Sequence, residues 1–336
     1  MAATPREVVY QTLEFQGPPR APRHLWRLPG AVMFHHEAIE RVLAEYPDDV
    51  VYAVGHQSEP SPTKGKEHKP GTFVDAWGIQ YENKLPGVRG QVVQPLIQDW
   101  ARDRSRVRFP HELLSLDREK ISRDCAAEER FVLMPLVVSP FELLQRLRGP
   151  EELLVDLLDP EPEMLGFISR LHAFYSDYLQ VWAETAIDAL TFMDDWGSYQ
   201  GLLVSPAIWR EYFKPLYYDY VQIARSKGKK VFMHSDGEIS SILDDLVELN
   251  LDALNCQIEV MGAERLAPYA GRLTFWGEVD RELLTPEGNV DQVREEVVEV
   301  HRNLWRNGGC FAQCEFGIGS QEENVRAVFE AWDELV

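Results

Sequence analysis

From residue 187 onward the chain repeats one unit: a short apolar run, a polar turn, then an amphipathic helical stretch. Residues 187–192 (Ile-Asp-Ala-Leu-Thr-Phe) read as a strand and are followed by Met193, Asp194, Asp195, Trp196 and Gly197. Ser205 and Pro206 then supply a capping residue and a first-turn proline, and Trp209, Tyr212, Phe213, Leu216 and Tyr220 follow at helical spacing before Gly228. Residues 230–233 form the next strand, closing in His234, Ser235, Asp236 and Gly237. The unit recurs in strands at 252–255, 273–276 and 309–313, with helices at 239–249, 265–269, 291–305 and 324–335. Such alternation predicts parallel βα units.

A parallel sheet of this kind closes either as an open doubly wound sheet or as a (β/α)8 TIM barrel. The strand–helix junctions carry no G-x-G-x-x-G loop, which weighs against the dinucleotide-binding version of the open sheet. The polar clusters follow several different strands, and only a barrel brings all of those ends to one mouth. The expectation is therefore an α/β chain, a (β/α)8 barrel with N-terminal elaborations over its mouth, spanning 1–336 as a single domain. Strands are expected at 50–54 and 131–138. Between them an irregular insertion at about 55–100, rich in Gly, Pro, Lys and Glu, is too long for an ordinary loop and is read as covering the mouth, with a small hairpin around residues 75–81.

Charge narrows the partners. Asp and Glu number 55 against 34 Lys and Arg, a formal net charge of −21. A surface so acidic repels phosphate backbones and anionic lipid, so neither a nucleic acid nor a membrane partner is expected. The longest apolar run, residues 131–138, falls far short of the roughly 20 residues that span a bilayer. The N-terminus lacks a basic segment followed by an apolar one, and the four cysteines (Cys125, Cys256, Cys310 and Cys314) are too few for a disulfide scaffold. A cytoplasmic protein is expected.

The most informative residues are His234, Asp236 and Cys314. His234 and Asp236 lie two apart at a strand end, so extended geometry sends both side chains to one side. Cys314 is read as closing a later strand, and barrel geometry lets it reach the same point. An imidazole, a carboxylate and a thiolate make a three-ligand zinc set with a fourth position open for a substrate. The competing reading is a hydrogen-bonded structural histidine and a cysteine acting as a small buried hydrophobe. The neighbouring acids Asp194 and Asp195 point to opposite sides, so one is expected at the mouth and one is open to a helix-capping role. Glu278 and Glu315 end two further strands, the latter a candidate acid/base. Trp77, Trp196 and Trp276 sit near polar turns and are expected either to floor a substrate pocket or to serve packing.

Asp194-Asp195-Trp196-Gly197, Ser205-Pro206, Phe213-Lys214-Pro215 and His234-Ser235-Asp236-Gly237 resemble the corresponding segments of the uroporphyrinogen decarboxylase family. Glu259, Phe275-Trp276-Gly277, Cys314-Glu315-Phe316-Gly317 and Glu323-Asn324-Val325-Arg326-Ala327 extend the likeness over about 187–336. The resemblance implies a (β/α)8 barrel with its site at the strand C-termini. True decarboxylases of the family carry an arginine-rich segment after the first strand and an aspartate after the second. Here Arg27 matches the first arginine, Ala31 stands at the second, and residues 54–59 contain no aspartate. The likeness is closer to the cobalamin-dependent methyltransferases, which hold zinc by H-x-C and a distant Cys. His234 and Cys314 match, and Asp236 replaces the middle Cys. The resemblance thus implies a zinc-dependent methyltransferase. It would move a methyl group from a small methoxylated or methylamine-type donor to a corrinoid carried by a partner protein, with His234, Asp236 and Cys314 on the metal. Asp195 and Glu315 would be catalytic, Trp77, Trp196, Trp276 and Glu278 would line the substrate, and a homodimer is allowed. Two alternatives stand beside it: a cofactor-free decarboxylase, and a non-catalytic barrel that binds a corrinoid or tetrapyrrole.

Overall fold

In the computed structural model, residues 3–56 and 60–336 are described. Residues 57–59 of the expected insertion lie outside that range. Among the described residues, eight parallel strands carry the fold: β1 (Arg23–Arg27), β2 (Val50–Tyr52), β6 (Phe131–Leu133), β7 (Ala189–Met193), β10 (Lys230–Ser235), β11 (Ala253–Cys256), β12 (Thr274–Phe275) and β13 (Ala312–Phe316). Six of them form one parallel sheet in the order β12-β11-β10-β7-β6-β2, and β1 pairs with β13 in a second. Single links join the two sets. Asp49 donates its N–H to the Arg23 carbonyl at 2.8 Å, and Phe275 bridges Cys310. The segment after β2 adds a small antiparallel sheet: β3 (Gly71–Val74), β4 (Gln80–Asn83) and β5 (Gln91–Val92). Its first turn is built by Asp75, whose Oδ1 accepts the N–H groups of Trp77 and Ile79 at 2.9 Å each. Strands β8 (Gly197–Ser198) and β9 (Gly201–Leu202) make a hairpin directly after β7.

Side-chain alternation along the parallel strands divides the core in two. One face, carrying Leu25, Val132, Leu190, Val231, Met233, Leu254, Cys314 and Phe316, is buried with the apolar faces of the helices. The other, carrying Val50, Phe131, Leu133, Ala189, Phe232, Ala253 and Phe311, is buried on itself with Trp276. The helix Pro5–Leu13 closes the N-terminal edge of that inner face with Val9 and Leu13. It is tied to the starts of several strands: Arg6 N–H to the Glu129 carbonyl, Tyr10 Oη to Asp188, and the Thr12 carbonyl to Gly309 N–H. The opposite, C-terminal strand ends are where the polar turns gather. Among the described residues no helix is long and apolar enough to cross a membrane.

Register decides which side chains share the inner face. His24 lies beside Gln313 and Trp26 beside Glu315 across β1 and β13. His234 lies between Asn255 of β11 and Met193 of β7. The turn after β10 is seated on the β8–β9 hairpin. Gly197 donates to the Asp236 carbonyl at 3.1 Å, and Glu238 donates to the Ser198 carbonyl at 2.8 Å. Gly237 makes this seat with φ +84°, and a Cβ there would stand 2.2 Å from the Gly197 carbonyl carbon. The contact is backbone on backbone, so no side chain can yield. Gly237→Ala is expected to cost about 2–4 kcal/mol, from the left-handed backbone and the overpacking together. The midpoint of urea unfolding measures it.

Candidate functional site

The C-terminal ends of β7 and β10 bring Asp195, His234 and Asp236 together. Each offers one ligand atom, and these atoms all lie within 4.8 Å of one another. His234 Nε2 is 3.3 Å from Asp195 Oδ1 and 3.7 Å from Asp236 Oδ1. The other ring nitrogen, Nδ1, lies 2.6 Å from Asn255 Oδ1, and Asn255 Nδ2 donates in turn to the Trp276 carbonyl at 2.6 Å. An amide oxygen can only accept, so Nδ1 carries the hydrogen and Nε2 faces the two acids. Burial opposes charge on His234, but the Asp195 hydrogen bond and the Asp236 and Asp195 charges outweigh it and raise its pKa to about 9. Asp195 titrates below the usual range: burial disfavours its charge, and the His234 bond more than compensates.

The two adjacent aspartates divide their labour as alternation requires. Asp194 is fully buried and turned away from the mouth. Its carboxyl oxygens accept the N–H groups of Phe141 at 3.1 Å and Glu142 at 2.8 Å, the first turn of the helix Pro140–Arg148, and the Tyr217 hydroxyl. It caps a helix, though not the one that follows it in sequence. Asp195 keeps 40% of its side chain exposed and faces the site.

Cys314 does not join this group. Strand β13 runs to Phe316 rather than ending at residue 313, so Cys314 sits within it and points to the helix-facing core beside Leu25. Burial raises its thiol pKa, which opposes the thiolate that a metal requires. The expectation that Cys314 completes the ligand set is therefore corrected: Asp195 takes that place around His234. The same alternation turns Glu315 inward, beside Trp26.

Aromatic residues are placed unevenly. Trp77 packs edge-on to Phe109 at 5.3 Å and Phe174 at 5.2 Å, under the antiparallel sheet. Trp196 is fully buried, stacked on Phe141 at 4.1 Å with its N–H on the Tyr217 hydroxyl. Both serve packing, which corrects the pocket-floor expectation for these two. Trp276 lies on the inner face, fully buried, and supports a residue that sequence reasoning missed: Trp26, with ring centroids 5.4 Å apart. Trp26 is half-buried, and its ring stands 5.1 Å from that of His234. Both indoles donate to His24 Nδ1, at 3.0 Å from Trp276 and 3.3 Å from Trp26. Burial lowers the His24 pKa to about 3, so it stays a neutral acceptor and pins both rings.

Carboxylates crowd the rest of the mouth. Glu278 is buried and pushed up to about 8 by burial, Arg281 opposing and Asp236, Glu315 and Glu259 adding to it. Burial also raises Glu315. Arg281, another residue missed, stands among them: Nη2 is 3.0 and 3.1 Å from the two Asp236 oxygens and 2.9 Å from Glu278 Oε1, and Nε is 3.7 Å from Glu315 Oε1. On the other flank Glu142 pairs with Arg146 at 3.0 Å, and its carboxyl is raised by burial and, against Arg146, by the Asp195 charge. Glu142 and Arg146 border a cleft of about 320 Å³ whose other walls include Tyr81 and Val92 of the added sheet and Arg89 of the loop between β4 and β5. The spacing of His234 and Asp236 was readable in the sequence. Trp26, Glu142, Asn255 and Arg281 carry no motif and emerge only from register and loop packing.

Comparison with known proteins agrees with this architecture. The chain is similar in structure to a methyltransferase from Methanosarcina mazei, with a TM-score of 0.66 and 16% identity, 99% of each chain being covered. It is less similar to a glycoside hydrolase family 10 xylanase from Gloeophyllum trabeum, with a TM-score of 0.45 and 12% identity over 96% of this chain and 98% of that one. At such identities the first likeness speaks for the fold alone, and the second carries no argument. No curated protein matches the sequence. The family model "Uroporphyrinogen decarboxylase (URO-D)" matches residues 101–335, well over half of the 336. With its parallel strands and a polar site at their C-terminal ends, this chain belongs to the uroporphyrinogen decarboxylase family.

Proposed function

We propose that the protein is a metal-dependent methyltransferase, with zinc held by Asp195, His234 and Asp236. The methyl group would pass from a small methylated donor to a corrinoid on a partner protein. The observation that carries this reading is the convergence of three ligand atoms within 4.8 Å at one set of strand ends. The donor chemistry fits. His234 offers Nε2 because Asn255 holds Nδ1, the arrangement by which a second partner orients a ligating imidazole. Two carboxylates with one imidazole form a harder donor set than thiolates, suited to an oxygen- or nitrogen-linked methyl donor. When bound, the ion supplies Lewis acidity that draws electron density from the methyl-bearing heteroatom.

The chain's own residues do the rest. Trp26 forms an apolar wall against His234, held by His24 and backed by Trp276, and would orient a methoxy or methylamine donor. Glu315 projects on the same face as Trp26 and would position the methyl-bearing heteroatom. A large second substrate must reach the mouth from outside. Exposed Leu28, Val32, Met33 and Phe34 follow β1, and exposed Ile318 follows β13, giving the strand C-terminal side an apolar rim. We read the two parallel sheets as arcs of one (β/α)8 barrel, supported by the strand order and by the Asp49–Arg23 and Phe275–Cys310 links.

The cofactor-free decarboxylase needs cations that can take up substrate carboxylates. Arg27 pairs with Asp48 at 3.2 Å, Arg146 with Glu142, and Arg281 with Asp236 and Glu278. Each is engaged by an acid of the chain itself, which favours the metal reading.

Purified protein is expected to hold about one zinc per chain by ICP-MS. His234→Ala and the paired Asp195→Ala/Asp236→Ala variant are expected to be metal-free, and Cys314→Ser to bind as the wild type does. Equal metal content in all four proteins would remove the site. Asn255→Ala, which takes away the acceptor for His234 Nδ1–H together with the donor to the Trp276 carbonyl, is expected to weaken zinc binding about 10–100-fold in a chelator competition. An unchanged affinity there would show that the histidine needs no such support.

A further inference from the structure

Among the described residues, Arg281 is the one side chain that touches a member of the triad while carrying the charge of the ion the triad is built to hold. Its Nη2 reaches both oxygens of Asp236, at 3.0 and 3.1 Å, including the Oδ1 that lies 3.7 Å from His234 Nε2. A cation in that position draws on the same carboxylate charge as a metal ion and repels the ion itself. Two further carboxylates are within reach of the same guanidinium. Glu278 Oε1 is 2.9 Å from Nη2, and Glu315 Oε1 is 3.7 Å from Nε, just beyond hydrogen-bond distance. Glu259 adds a more distant negative charge. The side chain is 34% exposed, on a loop that follows β12, so a small movement is open to it.

We infer that Arg281 is a built-in counter-cation for the metal-binding carboxylates, a positioning residue that holds Asp236 when no metal is bound and yields it when one arrives. In yielding, the guanidinium keeps Glu278 and closes the remaining gap to Glu315. Three carboxylates around one guanidinium make this exchange cheap: the ion pair given up at Asp236 is replaced by one at Glu315, with no charge left unpaired. The residue therefore sets the metal affinity of the site without being a ligand. The inference rests on the metal reading above and adds to it a second state of the loop.

The test is the affinity of the full-length protein for Zn²⁺ alone, measured by competition with a chromogenic chelator. Arg281→Gln is expected to bind Zn²⁺ roughly tenfold more tightly than wild type, because the competing charge is gone. Glu315→Gln is expected to bind more weakly, because the guanidinium loses its alternative partner and stays on Asp236. In the double variant the Glu315→Gln effect is expected to vanish, since it acts only through Arg281. A residue that merely braces the loop would weaken binding when removed. Unchanged or weaker binding by Arg281→Gln, or a Glu315→Gln effect that survives in the double variant, overturns the inference. Should Arg281→Gln fail to fold by circular dichroism, Arg281→Lys takes its place. It keeps the charge and is expected to stay within about threefold of wild type, and tighter binding by that variant would count against the inference. The controls separate the two ideas. Wild-type binding that His234→Ala abolishes, with Arg281→Gln unchanged, sinks the role of Arg281 alone. Zn²⁺ binding by none of the proteins sinks the metal centre and this inference with it.

Discussion

The hydrogen bond between His234 Nδ1 and Asn255 Oδ1 fixes what the strand ends can do. It settles the tautomer, aims Nε2 at two carboxylates, and couples the imidazole to the next strand through the Trp276 carbonyl. The bond exists because β10 and β11 run parallel in a register that places residue 234 against residue 255. A slip of either strand by one residue would turn its member of this pair to the helix-facing core and break the bond. The same register seats the turn after His234 on the β8–β9 hairpin, where only glycines allow the backbones to approach. The position of His234 is thus a consequence of sheet geometry, while Asp195, Asp236 and Arg281 are set by the turns that follow the strands.

Much of this was legible in the sequence, and the limits have a physical form. The alternation after residue 187 gave the parallel strands, because each is an apolar run closed by a polar turn. His234 and Asp236 were readable because a spacing of two keeps one face whatever the exact strand bounds. Cys314 was not, because its direction depends on where β13 sits. Reading the strand as 309–313 left residue 314 free to turn into the mouth, whereas the observed strand from Ala312 to Phe316 fixes it outward. A two- or three-residue displacement of a strand is within ordinary sequence reading, and for a metal ligand such a displacement changes the answer. Asp194 shows the converse case. A cap for the helix that follows was one of two readings for the aspartate pair, but the helix that Asp194 caps lies more than 50 residues earlier in the chain, and no local pattern points there.

The tryptophans divide by the same rule. Trp196 and Trp77 flank polar turns, yet each turns into a dense aromatic core, with Phe141 and Phe213 around the first and Phe109 and Phe174 around the second. Large aromatic rings bury more area against other rings than at a wet mouth, so proximity to a polar turn is a poor guide to exposure. Trp26 reaches the site because it lies on a strand of the inner face, and it stays there because His24 accepts from its indole. A histidine that burial keeps neutral can accept two N–H groups at one nitrogen, and this allows two indoles to be fixed without a charge beneath the site.

Electrostatics then constrains the chemistry more than the fold does. Asp195, Asp236, Glu142, Glu278 and Glu315 meet Arg146, Arg281 and His234 at the mouth, so acids outnumber bases even with the imidazole protonated. Burial has raised three of those carboxyls, Glu142, Glu278 and Glu315, which is how a site too rich in acid lowers its own charge. A polycarboxylate substrate would add to the excess. A divalent cation would relieve it, letting the acids ionise and freeing the arginine that now neutralises Asp236. The family framework is compatible with both chemistries, and this distribution of charge is what the proposed metal-dependent reading rests on. The arginines that would steady a porphyrinogen are paired with acids of the chain, while Asp195, His234 and Asp236 bring their ligand atoms within 4.8 Å of one another, with Arg281 holding Asp236.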